Sequence, residues 1–511
     1  MKRTIKKVAV LGSGVMGSRI ACHFAGIGLQ VLLLDIQPKP EEGKKFDPNK
    51  IVNDALAAAL KSNPSPVYTK DTAKKIKTGN FTDNMKDIAS ADWVIEVVVE
   101  RLDIKKSVFD EVEKYRRPGT LITSNTSGIP IQLMAEGRSE DFKKHFCGTH
   151  FFNPPRYLRL LEIIPTPFTD TAVVDFLMHY GDLYLGKTTV LTKDTPAFIA
   201  NRIGVFGMMA IMKIMEKLQL SIDEIDALTG PLAGRPKSAT FRTADVVGID
   251  TLIKVAKGVY DNCPNDEAKD IFNIPAWLNK MVENNWLGDK TGQGFFKKVK
   301  TPEGKSDIQV LNLQTMEYTA RQRPKFATLE AAKPIEDLPA RLKILINGTD
   351  KAGEFYRQFH YSLFSYISHR IPEISDEVYR LDDAMMAGFG WEIGAFESWD
   401  ASGLAKTTEA MKAAGFTVAK WVDDMLAAGH NTFYKVENGK RLYYDVAGKT
   451  YKNLPGGDTF LVMKYFTNQT IWKNSSSRVY HLGDDVLGLE WNTKMNSIGG
   501  EVLESIQKGI S

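Results

Sequence analysis

Short apolar runs alternate with stretches of helical spacing along the first third of the chain. Val8-Ala9-Val10-Leu11 is a run of the kind that a strand buried on both faces requires. Ser18 to Gly28 is helix-like, and Val31-Leu32-Leu33-Leu34 follows, ending in Asp35. The three together predict a βαβ unit. Asp92 to Glu100 predicts a fourth strand whose end lies at Glu100, and Leu121-Ile122-Thr123-Ser124 predicts another. Cys147-Gly148-Thr149-His150-Phe151-Phe152-Asn153-Pro154 reads as a strand running into a loop, and Leu160-Leu161-Glu162-Ile163-Ile164 is an apolar run with one carboxylate at its centre. Between Pro38 and Asn84 lies a Lys-rich, helix-capable stretch (Asn53 to Lys61, Thr69 to Lys77), expected as an excursion over a cleft with a solvated, charged face.

From Asp194 the apolar spacing becomes helical: Ile199, Ile203, Phe206, Met209 and Ile211 to Ile214 open a long helix and an all-α region. A second copy follows. Phe241-Arg242-Thr243-Ala244-Asp245-Val246-Val247-Gly248 matches Phe396-Glu397-Ser398-Trp399-Asp400-Ala401-Ser402-Gly403 in its Phe, Asp and Gly positions, and Asn201-Arg202-Ile203 aligns with His369-Arg370-Ile371. The second copy lacks the asparagine, and residues 335–428 read as a degenerate duplicate with a packing role. Residues 299–334, with Pro302, Gly304, Pro324 and Pro334, read as a polar linker between the copies. Residues 429–470 read as a second linker with a hairpin around Asn438-Gly439, and Ser477 to Trp491 alternates around Gly483-Asp484-Asp485 before a helix to Ser511.

At 511 residues the chain has room for about three domains, and 43% hydrophobic with 25% charged residues is an ordinary globular balance. Lys+Arg of 66 against Asp+Glu of 62 leaves a net charge of +4, too little over this length for wrapping on nucleic acid. The basic start, Met1 to Lys7, is followed by an apolar run broken by Gly12, Gly14 and Gly17, so it reads as a solvated lead into a strand and not as a signal segment. No charge-free apolar run reaches the ~18 residues of a membrane span. The three cysteines, Cys22, Cys147 and Cys263, have no metal-site or disulfide spacing and fit a reducing compartment, so a cytoplasmic location is expected.

The chemistry enters at Gly12-Ser13-Gly14-Val15-Met16-Gly17, which stands directly after the first strand and opens the first helix. Gly12 permits the tight turn, Gly14 lets a pyrophosphate approach the backbone, and Gly17 lets helix and strand pack closely. With an acid, Asp35, at the end of the second strand, the arrangement points to a dinucleotide, against a merely structural glycine turn. Asp35 suits a ribose diol, and Ile36-Gln37-Pro38 offers no Arg for a 2′-phosphate, which favours NAD over NADP. Oxidising an alcohol with NAD needs a base near neutral pH. His150 is the candidate, with Glu162 as a buried carboxylate that an imidazole would satisfy. Spacing alone leaves open a structural histidine and a surface glutamate.

Taken together, the stretches Gly12 to Gly17, Glu96 to Lys105, Ser124-Asn125-Thr126-Ser127, His150 to Pro154 with Glu162, Asp194 to Arg202 and Lys290-Thr291-Gly292-Gln293-Gly294-Phe295 resemble the 3-hydroxyacyl-CoA dehydrogenases of fatty-acid β-oxidation, over roughly residues 5–300. The resemblance implies a Rossmann domain (1–193), a helical substrate domain (194–298) and a second helical domain, both of the 6-phosphogluconate dehydrogenase C-terminal type. It implies oxidation of a (3S)-3-hydroxyacyl-CoA by NAD, with His150 as general base, Glu162 orienting it, and Ser127 and Asn201 holding substrate oxygens. It carries further NAD contacts onto Glu100, Lys105, Asn153 and Lys290. Short members dimerise through the helical domain, which suggests that the duplicate occupies that face internally. A monomer or homodimer is expected, with thiolase association as a further possibility. Residues 471–511 resemble the opening strands of an enoyl-CoA hydratase (crotonase-like) domain, too short for hydration chemistry. The rival readings are a free-acid β-hydroxyacid dehydrogenase, which would need a lysine near Asn201-Arg202, and a non-catalytic dinucleotide-binding protein.

Overall fold

The computed structural model describes residues 3–40, 42–43, 45–300, 304–457 and 459–511; Met1, Lys2 and Pro302 of the reading above lie outside them. Strand β1 (Lys7–Leu11), helix α1 (Val15–Gly26) and β2 (Gln30–Asp35) form the expected βαβ unit, with β1 and β2 parallel. Helix α2 (Lys50–Lys61) follows. Thr69 to Lys77 is not helical as expected: it contains a short 3-10 turn and the start of β3 (Ile76–Asn80), which pairs parallel with β2. An edge strand has one strand neighbour only, so it tolerates the exposed Lys77 and half-buried Thr78, while the buried Asn80 is satisfied by donating to Asn49 and Asp83; these polar residues hide the strand from a search for apolar runs. β4 (Trp93–Glu96) ends four residues before the expected Glu100, and Val99 is 60% exposed. Helix α3 (Leu102–Tyr115), β5 (Leu121–Ser124), β6 (Phe146–Phe151), β7 (Leu160–Pro165), α4 (Thr171–Leu183) and β8 (Thr188–Leu191) complete the unit.

The eight strands run in the order β3-β2-β1-β4-β5-β6-β7-β8, parallel except where β7 turns back along β6. The order reverses between β1 and β4, so the carboxyl ends of those strands frame the crevice where open α/β sheets bind ligands. Apolar clusters cover both faces of the sheet, which is why its central strands are apolar throughout.

His23 on α1 packs beneath this sheet with its Nε2 3.2 Å from the Leu185 carbonyl. Burial, with repulsion from Lys187, lowers its imidazole to about 4. The folded chain thus keeps the ring neutral down to about pH 4, while in the unfolded chain it charges near 6.5. Acidification across that window favours the unfolded state by roughly 2–3 kcal/mol. The urea midpoint is expected to fall between pH 6.5 and 4, and His23→Gln to flatten that fall; an equal slope in the variant refutes the assignment.

The first helical copy comprises α5 (Ala200–Leu218), α6 (Ile222–Leu228), α7 (Phe241–Val247), α8 (Ile249–Asn262) and α9 (Ala276–Glu283). It ends in an antiparallel meander of β9 (Phe296–Lys300), β10 (Ser306–Asn312) and β11 (Glu317–Ala320). Two helices, Ala327–Ala332 and Leu338–Ile346, lead to the second copy. That copy repeats the plan with α10 (Lys351–His369), α11 (Val378–Phe389), α12 (Ala395–Ser402), α13 (Leu404–Ala413) and α14 (Lys420–Ala427). A second meander follows, β12 (Tyr434–Glu437), β13 (Lys440–Asp445) and β14 (Thr450–Asn453).

The matching aspartates make matching bonds. The Asp245 carboxylate accepts from the amides of Phe295 and Phe296, and Asp400 accepts from those of Phe433 and Tyr434. Each thereby pins its meander to the helices, so paired strands stand within 299–334 and 429–470, where irregular linkers were expected. The alignment of Asn201 with His369 also fails, because Asn201 opens α5 whereas His369 closes α10.

The two long helices, 19 residues each, pack antiparallel. Arg202 near the start of α5 bonds Tyr366 near the end of α10, and Lys351 at the start of α10 reaches the Gln219 carbonyl beyond α5. The second copy also buttresses the α/β unit: Thr192 Oγ1 and the Lys193 amide both donate to the Ile374 carbonyl, and Gly388 of α11 packs on Leu160 of β7. The chain closes with the antiparallel sheet β15 (Thr470–Lys473), β16 (Ser477–Gly483) and β17 (Val486–Trp491), with α15 (Gly500–Ile510) packed on it. The alternating stretch Ser477 to Trp491 forms β16 and β17, which turn at Gly483, Asp484 and Asp485, all at positive φ. Among the described residues no helix is long and apolar enough to cross a membrane.

Candidate active site

The antiparallel register of β6 and β7 sets His150 directly opposite Glu162, so both side chains leave the same face of the sheet. The His150 Nδ1 lies 2.7 Å from Glu162 Oε2. Glu162 is fully buried, and its other oxygen accepts from the amides of Ile199 (3.1 Å) and Ala200 (2.9 Å) at the start of α5. A buried carboxylate is tolerated only when its lone pairs are met, and here a helix N-terminus and an imidazole meet them. Ala197 and Phe198 adopt left-handed φ of 63° and 54°, turning the chain so that the two amides face the carboxylate. An ionised carboxylate only accepts, so Nδ1 carries the ring proton and Nε2 is left with its lone pair. Nε2 has no hydrogen-bond partner among the described residues. The rings of Phe152 and Phe198 flank the imidazole at 4.5 and 5.6 Å.

The glycine turn has the shape a nucleotide cradle needs. Gly12 sits at φ 105°, where a Cβ would lie 2.6 Å from the Val97 carbonyl oxygen, and a Cβ on Gly17 would collide with the Gly12 carbonyl. Beside Gly14 nothing lies within 4 Å, so the backbone is open to a ligand where α1 begins, and no side chain caps that helix end. Asp35 accepts from the Ser13 amide and hydroxyl, both at 2.6 Å, which hold its carboxylate against the turn. These features fit a dinucleotide.

A second polar group stands at the carboxyl ends of β4 and β5. Glu96 accepts from Ser124 Oγ (2.5 Å) and from Lys105 Nζ (2.8 Å). Burial raises the Glu96 carboxyl, and Lys105 pulls against that shift. Glu100 accepts from Thr126 Oγ1 (2.7 Å) and the Ser127 amide (2.9 Å), with Ser127 Oγ at 3.3 Å. Burial would raise Glu100, but Lys105, 3.4 Å away, and the bonds from Thr126 and Ser127 outweigh it and hold the group below its ordinary value. Asn153 accepts from Arg19 of α1 at 2.6 Å, and Asn125 ties this edge to β6 by accepting from the Phe151 amide. Asn201 stands in the first turn of α5, next to Ala200, and its side chain has no described hydrogen bond.

The structure therefore gathers His150, Glu162 and Asn201 around the start of α5, and Glu100, Ser127 and Asn153 along the sheet edge. Lys105 is 1% exposed and directed at Glu96 and Glu100, so it anchors those carboxylates. Lys290 is paired with Asp250 on α8. Sequence reasoning missed Ser13, Ser124 and the two amides that hold Glu162. The position of Ser13 inside the glycine turn was the one available signal. No cluster of potential metal ligands exists among the described residues.

The chain is similar to known proteins. The sequence model of the 3-hydroxyacyl-CoA dehydrogenase NAD binding domain matches residues 7–195, and that of the 3-hydroxyacyl-CoA dehydrogenase C-terminal domain matches residues 198–298. A probable 3-hydroxyacyl-CoA dehydrogenase of Deinococcus radiodurans is 46% identical over 296 residues, covering 58% of this chain and 84% of that protein. The chain belongs to the 3-hydroxyacyl-CoA dehydrogenase family. A protein of the same description from Bacillus subtilis is 44% identical over 522 residues, covering all of this chain, which spans 65% of that relative's length. The crystal structure of 3-hydroxybutyryl-CoA dehydrogenase from Escherichia coli K12 shares the fold over 84% of this chain and 100% of its own, with TM-score 0.60 and 21% identity.

Proposed function

We propose that this chain oxidises (3S)-3-hydroxyacyl-CoA to 3-oxoacyl-CoA with NAD in fatty-acid oxidation. The observation that carries the reading is the buried contact between His150 Nδ1 and Glu162, which leaves Nε2 without a partner among the described residues. Gly12, Gly14 and Gly17 with the N-terminus of α1 hold the pyrophosphate, and Asp35 takes the ribose diol. Glu100, Asn153, Lys105 and Lys290 are assigned to the cofactor side by family resemblance; for Lys105 the support is indirect, through the carboxylates it anchors. Bound NAD supplies the acceptor for the hydrogen that leaves C3 with its electron pair. His150 Nε2 takes the hydroxyl proton, and Glu162 stabilises the imidazolium that results. Ser127 and Asn201 hold the substrate oxygens, fixing C3 against the cofactor.

In this reading residues 1–193 form the cofactor unit and residues from 194 the substrate unit. The second helical copy covers the face that short family members use to pair, in keeping with the antiparallel packing of α5 on α10. Residues 471–511 are the opening of a crotonase-like domain, supported by the sheet β15–β17 and α15. Three buried thiols suit a reducing, cytoplasmic setting.

The test is NADH oxidation with acetoacetyl-CoA. Turnover is expected with the thioester and none with free acetoacetate. Activity confined to free acids, or NADH binding without turnover of either, overturns the proposal.

A further inference from the structure

An open-mouthed cavity of about 70 Å³ lies between the two helical copies. Gly204, Met208 and Ile211 of α5 form one wall, three, seven and ten residues beyond Asn201 and therefore on its face of the helix. At a rise of about 1.5 Å per residue the wall begins roughly 4.5 Å from Asn201 and runs for about 10 Å further. The ring of Phe389 from the second copy presses on Gly204 at the near end, where a Cβ would collide with it. Phe359 and Trp391, also from the second copy, complete an apolar lining.

One group does not belong in such a lining. Arg235 stacks on the Trp391 indole, its guanidinium carbon 3.1 Å from the ring centroid, and Phe359 lies 5.9 Å away. Among the described residues its buried Nη1 has no hydrogen-bond partner and no Asp or Glu lines the cavity. The other polar side chains are spoken for. Thr240 donates to Thr229, Thr229 to the Ile225 carbonyl, Thr243 to the Ala239 carbonyl and Tyr356 to the Leu228 carbonyl. The His360 Nδ1 sits 2.8 Å from the Tyr356 carbonyl. Burial lowers the Arg235 guanidinium to about 9. A buried cation is costly unless paired, and a guanidinium fork matches a carboxylate.

We infer that this cavity receives the acyl tail of an ω-carboxylated 3-hydroxyacyl-CoA, with Arg235 binding the terminal carboxylate. The inference rests on the dehydrogenase reading above, because the shared face with Asn201 is what makes the occupant the substrate's own tail. Apolar walls take the methylenes, and the guanidinium selects the charged end.

The experiment compares kcat/KM for 3-hydroxysuberyl-CoA and 3-hydroxyoctanoyl-CoA, which share one chain length, in the full chain and in Arg235→Met and Arg235→Lys. The ratio within each protein cancels any general loss of activity. Arg235→Met is expected to lower the suberyl-to-octanoyl ratio about 100-fold, mainly through KM, with Arg235→Lys in between. An unchanged ratio in Arg235→Met overturns the inference. If free suberate raises the melting temperature of the wild type but not of Arg235→Met while the ratio stays constant, the anion arrives as a free acid and the substrate-tail assignment is overturned. Absence of turnover with acetoacetyl-CoA in the wild type would instead sink the dehydrogenase reading. Suberate binding that depends on Arg235 then still supports a carboxylate site, and its absence removes that site as well.

Discussion

Replacing His150 by alanine is expected to lower kcat with acetoacetyl-CoA by about 10³- to 10⁴-fold while leaving the affinity for NADH within about twofold. The asymmetry follows from where the groups sit. The glycine turn and Asp35 belong to β1, α1 and β2, and Ser13 holds the Asp35 carboxylate without any part being played by β6. The imidazole is instead enclosed by Phe152, Phe198 and Glu162, so its loss leaves a small void and one oxygen of the Glu162 carboxylate without its partner. A fluorescence titration with NADH and a steady-state assay on the same preparation separate the two effects. Retention of more than a tenth of the activity would refute a general-base role for His150.

Glu162→Gln has nearly as large an expected effect, for a different reason. The glutamine oxygen can still accept from the Ile199 and Ala200 amides, so the junction between β7 and α5 survives. Its NH₂ group then faces His150 Nδ1 and donates to it, which forces the ring proton onto Nε2. The base is present but in the wrong tautomer, and kcat falls by up to about 10⁴-fold with little change in melting temperature or KM. A proportional rise in KM with unchanged kcat would show that the carboxylate serves substrate binding and not the orientation of the ring.

The parts legible from sequence were those in which one residue type serves one physical need within a short span. Gly12 and Gly17 are required by collisions inside the turn they build, and Asp35 ends the strand that the apolar run announces. His150 and Glu162 could be named, but their contact depends on the register of β6 against β7, which residue types do not state. The other partners of Glu162 were hidden further still. They arrive from 37 and 38 residues along the chain, through left-handed backbone at Ala197 and Phe198, neither a residue type that advertises that conformation. The meander β9–β11 passed for a linker because Lys297, Lys298 and Lys300 lie on a small sheet with one face in solvent. The triplets at Asn201 and His369 looked alike because both carry Arg-Ile, yet Arg202 and Arg370 approach Asp266 from opposite helix ends.

The antiparallel seating of α5 on α10 gives the molecule the layout of a two-fold pair within a single polypeptide. Union of the halves is consequently unimolecular: dilution, which scatters separate subunits by mass action, has no purchase on it. The symmetry is also broken in composition, since one half alone sits behind a glycine turn. On the proposed function such a unit houses one reaction centre where a true pair would house two, and its other half is at liberty to diverge as wall and buttress.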